Sequence, residues 1–464
     1  MSYLSYQYLI FCFLMFLIYY CVPAIHRWKV LLAGSVFFLI CSSSLIQFLM
    51  FFLAYIICFL GGRSISGLPQ GDHHKLTVFV ITVSFVSCPF IVSRICRLVG
   101  GVNSGLFTLG ISFWTLQMVS YLADVYTGKV TACDSLMRLL LYFSFFPQIV
   151  QGPIPRYNDL YPQMISCKDF DSKNTDLGIM KILYGFFLKL MIADKAKIIV
   201  DEIFLNWKDY SGTVFWIAAI LYSVELYTDF KACVEISRGV GCLFGIRISS
   251  NFNRPYLSMS IKEFWRKWHI TLSLWLRDYI YFPLGGSKRG KVRKYGNILI
   301  VFVLSGFWHG GGVTFLLWGL MHGIYQIIED VFGIYRCKSS LYRIFGTGLT
   351  FILVTIAWVM FRSDSVGQGM GMITYMLMFR HSADSDFNLL NLGLSFGQWK
   401  VLILAIMFLI GTESTKLKNL LVSGILKSNA IIKGFFYVAF CVMLAIFGSY
   451  GYGYNAQDFI YGGF

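Results

Sequence analysis

Apolar runs long enough to enter a lipid bilayer, or nearly so, recur from one end of this sequence to the other. Only 13% of the 464 residues are charged and the mean hydropathy is +0.66, whereas a soluble domain carries about 25% charged residues. A water-soluble fold could not bury this much apolar surface, so the sequence predicts an all-α, polytopic membrane protein. The predicted membrane segments are 4–22, 30–60 (two helices), 76–99, 106–125, 136–150, 178–200, 213–230, 297–309, 312–335, 346–361, 399–411 and 434–450.

Several of these runs are too short to cross a bilayer or are interrupted by Gly or Pro, as at Pro89, Pro147 and 310–312. Non-helical backbone is tolerated at membrane depth only where it is buried in protein or lines a cavity. We therefore expect re-entrant or interfacial helices beside the full spans.

Basic residues predict the orientation of the chain. The formal net charge of +16 is typical of a membrane protein whose Lys and Arg collect in cytoplasmic loops, so no nucleic-acid partner is expected. Arg27 and Lys29 follow the first span, and four lysines lie within 412–433. Both segments are predicted to be cytoplasmic, which places the N-terminus and the tail 451–464 on the outer face.

The segment 247–294 is too polar for the lipid phase, because it holds eleven Lys or Arg and only two acidic residues. Within it, Trp265, His269, Leu272 and Leu276 recur at helical spacing. This pattern predicts one amphipathic helix at the cytoplasmic interface. Its basic residues either attract anionic lipid or dock an anionic donor such as a phosphorylated carrier; the candidates for docking are Arg266, Lys267 and Arg277.

His322 is the most informative titratable residue, because it lies ten residues into the run 312–335, about 15 Å deep. An ionisable group at that depth suggests a functional site. A neutral imidazole, with a reference pKa of about 6.5, can act as general base toward a hydroxyl. The alternative is a structural histidine that hydrogen-bonds a neighbouring helix. No GxSxG elbow, carboxylate pair or CxxC metal motif is present, so no metal site is predicted.

Five stretches resemble a known family: "SFWTLQMVSYLADVYTGK" (112–129), "FFPQIVQGPIPRYNDL" (145–160), "GFFLKLMIADKAK" (185–197), "NFNRPYLSMSIKEFWRKWHITLSLWLRDYIYFPLGG" (251–286) and "GFWHGGGVTFLLWGLMHG" (306–323). In order and spacing they resemble the membrane-bound O-acyltransferase (MBOAT) family. The similarity is greatest to its bacterial branch of alginate and peptidoglycan O-acetylation subunits and the D-alanyl-teichoic-acid transfer protein.

The resemblance implies one domain over 1–464, with N-terminal spans in 1–100, a catalytic core in 101–450 and an extracytoplasmic tail in 451–464. It implies a helical bundle around a central tunnel, where a cytoplasmic thioester (acetyl-CoA or an acyl carrier) meets an acceptor from the outer side. No bound cofactor is implied. The family's buried catalytic histidine corresponds to His322, and a second active-site position corresponds to His269. His309 matches a "WHG" turn of the family and is as readily structural.

The tail "FIYGGF" (459–464) is similar to an F-x-Y-x-x-F ending in this branch. In the D-alanyl system of the family that ending lies on a separate small protein, so the resemblance implies that its presence on this chain favours acetyl transfer. Tyr461 is then a candidate acyl relay; the alternative is an aromatic anchor at the membrane surface. The run "YTDFKACVE" (227–235) departs from the family pattern at Lys231 and Glu235, which leaves the acceptor open.

The function implied by the resemblance is acyl transfer, acetyl in the first place, across a bacterial plasma membrane to a cell-envelope or secreted polysaccharide. An extracytoplasmic SGNH-type acyltransferase would be the partner. Two alternatives stay open. One is D-alanyl transfer from a carrier protein to teichoic acid, and the other is a non-catalytic transporter or flippase.

Overall fold

A computed structural model describes residues 2–99, 110–210, 212–333, 340–378 and 392–450. Within these ranges the chain is helical and contains no β-strand, which confirms the predicted fold class. The α-helices are α1 (Tyr6–Cys21), α2 (Ala24–Ser42), α3 (Leu45–Gly67), α4 (His73–Leu98), α5 (Ile111–Tyr126), α6 (Leu136–Ser144), α7 (Tyr157–Ser166), α8 (Ser172–Phe187), α9 (Asp194–Leu205), α10 (Gly212–Leu243), α11 (Ile261–Lys267), α12 (Ile270–Leu276), α13 (Lys291–His309), α14 (Val313–Phe332), α15 (Ser340–Arg362), α16 (Val366–Leu377), α17 (Phe396–Glu413), α18 (Thr415–Lys427) and α19 (Ala430–Phe447).

The outer helices carry the surface that would face lipid. In the described ranges, six helices are long and apolar enough to cross a membrane, namely α2, α3, α4, α17, α19 and the Arg343–Arg362 part of α15. On α19, Ile431, Phe435 and Val438 are exposed. Since lipid tails are as apolar as these side chains, such a surface is stable only inside a bilayer.

Helix boundaries follow local capping chemistry. The apolar run 30–60 divides into two helices as predicted, because Ser44 and Gln47 form a capping box that starts α3. The run 136–150 is helical only to Ser144, and the proline-containing segment that follows is irregular. The run 178–200 is a composite of α8, a π-helical turn (Leu188–Ala193) and α9.

The helix α10 lies inside the bundle, which explains how it can carry charge. It packs along α8 at glycines, and a Cβ atom built on Gly178 would lie 2.8 Å from the carbonyl oxygen of Gly239. Glu225, Asp229 and Glu235 on α10 are all buried. Lys189 in the π-helical turn pairs with Asp229 (2.6 Å) and Lys181 on α8 pairs with Glu235 (3.4 Å), so these cations replace water that the two carboxylates lose.

The predicted interfacial helix is wrong, because the structure forms a re-entrant hairpin there. The helices α11 and α12 are separate, and His269 joins them with a left-handed backbone (φ 42°, ψ 53°). The backbone N–H of Ile261, at the start of α11, donates to the Glu329 carboxylate near the end of α14 (2.6 Å). At the tip, the His269 ring lies 6.3 Å from the ring of His309, at the far end of α13.

The chain then returns along α12 to the end from which it entered. The Trp275 indole N–H donates to the carbonyl oxygen of Leu116 (2.9 Å), and the Tyr279 hydroxyl donates to Asp124 (2.8 Å) near the end of α5. The four apolar positions that suggested one helical face are therefore shared between two helices. These four side chains are buried against protein, and no lipid surface is needed to cover them.

The segments predicted to be cytoplasmic lie at one end of the bundle, which we call the basic end. Arg27 pairs with Asp169 (3.2 Å), just before α8. Lys433, at the start of α19, pairs with Asp176 at the start of α8 (2.5 Å). Arg156 pairs with Asp278 (2.7 Å), after α12. The opposite end carries Arg94, His309 and Arg362.

Candidate active site

The predicted catalytic residue His322 lies at the centre of an aromatic cluster. Its side chain is fully buried, and its Nδ1 accepts a hydrogen bond from the indole N–H of Trp265 (3.2 Å). The rings within about 6 Å of the imidazole are those of Phe264, Trp265, Phe302, Trp318, Tyr325 and Trp358. Its Nε2 has no hydrogen-bond partner in the described ranges.

Two glycines bring α14 against α13 at this depth. A Cβ atom built on Gly319 would lie 2.2 Å from the carbonyl oxygen of Phe302, and one on Gly306 would lie 2.2 Å from that of Phe315. Only glycine lets the two backbones approach so closely. This contact fixes α14, and with it His322, one turn beyond Gly319.

Glu329 fixes α11 on the other side of His322, and it is a site residue that the sequence argument missed. Its carboxylate accepts the backbone N–H groups of Ile261 (2.6 Å) and Lys262 (3.2 Å), the first residues of α11. A carboxylate at a helix N-terminus accepts hydrogen bonds from backbone N–H groups that would otherwise be unpaired, and its negative charge interacts favourably with the helix dipole. His322 and Glu329 are about two turns apart on α14 and both face α11. This helical spacing was the sequence signal that could have identified Glu329 as a site residue.

His269 does not contact His322, although both were predicted for one site. His269 lies 6.3 Å from His309 between ring centroids, His309 lies 5.1 Å from Trp318, and Trp318 lies 5.2 Å from His322. His309 and Trp318 therefore separate the two predicted catalytic residues. Both ring nitrogens of His269 are buried without a partner in the described part of the chain.

A small cavity lies beside His309 at the end opposite to the basic end. It has a volume of about 20 Å³ and is lined by Arg94, Gly110, Ser112, Phe113, Val150, Trp308 and His309. This is enough for one water molecule. The buried Arg94 guanidinium donates to the Ser112 hydroxyl (2.9 Å) and was not among the predicted residues.

The predicted tunnel is not open at His322 in this structure, because that side chain has no accessible surface. A substrate would reach the imidazole only if surrounding aromatic side chains moved. The described residues contain no group of three or more His, Cys, Asp or Glu that could hold a metal ion.

The three predicted docking cations lie on both arms of the hairpin. Lys267 pairs with Glu263 (2.6 Å) and Arg277 with Asp278 (2.8 Å), and the side chains of Arg266 and Arg277 are both exposed. Their role in docking stays a prediction. Tyr461 and the rest of the tail lie outside the described residues. Close to the end of the described range, Ser449 donates its backbone N–H to the carbonyl oxygen of Leu190 (3.1 Å).

The two departures from the family pattern take part in ion pairs. Lys231 pairs with Glu413 at the end of α17, and Glu235 accepts from both Lys181 (3.4 Å) and Arg238 (2.5 Å). These residues join α10 to its neighbours near the basic end. The structure thus gives them a role in packing.

Comparison with known proteins gives a family and several relatives. Residues 111–364 match the membrane-bound O-acyltransferase family. A probable alginate O-acetylase of Pseudomonas syringae pv. tomato is 38% identical over 283 residues, 61% of this chain and 54% of that protein. The peptidoglycan O-acetyltransferase of Helicobacter pylori is 33% identical over 300 residues, 59% and 57% of the two chains. The teichoic acid D-alanyltransferase of Bacillus subtilis is 31% identical over 235 residues, 48% and 59% of the two chains. The chain thus matches little more than half the length of these relatives.

Proposed function

The chain belongs to the membrane-bound O-acyltransferase family, and on this premise we propose that it transfers an acyl group, most simply acetyl, from a thioester to a hydroxyl. The observation that carries the proposal is the buried imidazole of His322, whose Nε2 has no partner in the described ranges. Structural histidines usually have both ring nitrogens satisfied when buried. A free nitrogen in the membrane core indicates a place for a substrate atom.

The donor would enter from the basic end. Arg266 and Arg277 are exposed, and a cluster of cations raises the local concentration of an anionic donor such as acetyl-CoA or an acyl carrier protein. This end would face the cytoplasm of a bacterium, since cytoplasmic loops are rich in Lys and Arg. His269, at the tip of the hairpin, would contact the acceptor or polarise the thioester carbonyl.

The acceptor would come from the outer face and lead to a polysaccharide. The relatives named as O-acetylases of alginate and peptidoglycan support acetyl transfer, and they are more similar to this chain than the teichoic acid D-alanyltransferase. Tyr461 in the tail would carry the acyl group as an ester to an extracytoplasmic SGNH-type transferase. A phenol, with a pKa near 10, is easier to deprotonate than a sugar hydroxyl.

Substitution of His322 tests this function. His322→Ala should reduce formation of the acyl ester by about 100-fold or more, because the group that acts on the reacting atoms is lost. The measurement is label transferred from acetyl-CoA to the polymer or to Tyr461 in membranes, with the protein level checked by immunoblot. His73→Ala is the matched control, since His73 is exposed at the start of α4.

Unchanged ester formation by the His322→Ala protein would remove the central assignment. Transfer of D-alanine from a carrier, with none from acetyl-CoA, would favour the D-alanyl alternative. Full transfer by Tyr461→Phe would exclude the relay and leave the membrane reaction intact.

A further inference from the structure

The hydrogen bond between Trp265 and His322 determines which ring nitrogen of His322 carries the proton. An indole N–H can only donate, so the Nδ1 atom that receives it must present a lone pair. The distance between the two nitrogens is 3.2 Å, and both side chains are buried. A neutral imidazole has one N–H, and in this arrangement it is on Nε2.

The surrounding contacts hold this arrangement in place. The Trp265 ring meets the imidazole edge to face, with an interplanar angle of 86°. It is packed on its other sides by Phe302 (5.3 Å between centroids) and Trp318 (5.7 Å). The capping of α11 by Glu329 fixes the helix one turn before Trp265. In this closed arrangement the packing holds the indole N–H toward Nδ1.

The second nitrogen of His322 is then a buried donor for which the described residues provide no acceptor. The neighbouring rings of Phe264 and Phe302 offer none. The indole N–H of Trp318, whose ring lies 5.2 Å from the imidazole, also lacks an acceptor in the described ranges. Buried donors are rarely left unpaired in folded proteins, so this group of donors suggests a ligand that brings an acceptor oxygen.

We propose that His322 acts through Nε2–H as a hydrogen-bond donor to the thioester carbonyl oxygen, and that Trp265 is the positioning residue that sets this tautomer. The inference rests on the proposed acyl-transfer function and changes the role predicted from the sequence, which was that of a general base. A nitrogen that already carries its proton cannot take one from the acceptor. Nδ1 could take one only by giving up the bond to Trp265.

The reaction balances without a protein base. The acceptor oxygen forms a bond to the carbonyl carbon, and the negative charge that develops on the carbonyl oxygen is stabilised by Nε2–H of His322. The carbon–sulfur bond then breaks, and the thiolate takes up the proton released by the hydroxyl and leaves as a thiol. Donors that are fixed before the reaction stabilise such an oxyanion strongly in a water-poor site.

The first test is the tautomer of His322 in the full-length protein in lipid, measured by ¹⁵N NMR of histidine-labelled protein. The His322 signals are assigned by their loss in His322→Gln. We expect Nε2–H in the wild type and a mixture with Nδ1–H in Trp265→Phe, which keeps an aromatic ring and removes the donor. An Nδ1–H or doubly protonated ring in the wild type would overturn the proposal.

The second test compares two substitutions at His322 in the transfer assay. The glutamine side chain donates a hydrogen bond but does not act as a base, whereas alanine does neither. Loss of one oxyanion donor costs about 10²–10³-fold in rate. The rate of acyl transfer by His322→Gln should therefore exceed that by His322→Ala by at least about tenfold. If both variants showed only the background rate of transfer, the donor role would be refuted.

The two tests also separate this inference from the proposed function. A wild-type protein that forms no ester with any thioester donor refutes acyl transfer, and with it the donor role. An active wild-type protein with the Nδ1–H tautomer refutes the donor role alone.

Discussion

At the scale of the residue, Lys189 shows how a charge is kept inside this membrane protein. Its side chain is almost completely buried in the π-helical turn between α8 and α9, with Nζ 2.6 Å from Asp229 and 2.9 Å from Asp194. The three groups connect this turn to α10. Burial of each charge is costly, and the attraction between them offsets the cost only while all the partners are present.

Removal of Lys189 should therefore destabilise the fold. Lys189→Met leaves Asp229 and Asp194 buried without their shared cation. The free energy of unfolding is expected to fall by about 3–5 kcal/mol. The measurement is unfolding of the purified protein in mixed micelles of increasing SDS content. Lys173→Met is the control, because Lys173 is exposed near the start of α8. An unfolding midpoint equal to that of the control would contradict a stabilising role for the buried cation.

At the scale of the element, the crossing of α13 and α14 determines where the imidazole of His322 lies. The two helices approach through Gly306 and Gly319, where an added Cβ atom would meet backbone carbonyl oxygens at 2.2 Å. Backbone atoms cannot move aside as a flexible side chain can. A methyl group at this point must therefore separate the helices.

Gly319→Ala tests this geometry. We expect the free energy of unfolding to fall by about 1–3 kcal/mol, the usual cost of overpacking. Acyl transfer should also be reduced, because His322 follows one turn later and would shift relative to Trp265. Gly296→Ala on α13 is the control, since a Cβ atom there meets nothing within 4 Å. Wild-type activity and stability in Gly319→Ala would show that the two helices need not pack so closely.

At the scale of the whole molecule, the ion pairs at the two ends give the bundle a defined polarity. The segments around Arg27, Arg156, Lys294 and Lys433 lie at the basic end. Arg362 pairs with Asp201 (2.6 Å) at the opposite end. Under the positive-inside rule the basic end is expected in the cytoplasm.

Single cysteines test that orientation. Lys291→Cys lies at the basic end and Lys208→Cys near the opposite end, and both positions are exposed. In a background without reactive native thiols, a membrane-impermeant maleimide should label Lys208→Cys in intact cells. It should label Lys291→Cys only after permeabilisation. The reverse pattern would invert the orientation and place the exposed cations of the hairpin outside.

The sequence by itself determined that this is a helical membrane protein of the MBOAT family with a buried histidine at position 322. These properties follow from hydrophobic runs and short motifs, which are local in the chain. The boundary between α2 and α3 was also predictable, since Ser44 and Gln47 are only three residues apart.

Only the tertiary structure decided the path of the hairpin and the hydrogen-bond partner of the His322 ring. His269 takes a left-handed conformation that sequence periodicity does not detect, because the usual signal for it is glycine. The partners that define the site, Trp265 with His322 and Ile261 with Glu329, are separated by 57 and 68 residues. Helical spacing specifies which side chains share a face, but contacts between distant helices decide which atom of an imidazole receives a hydrogen bond.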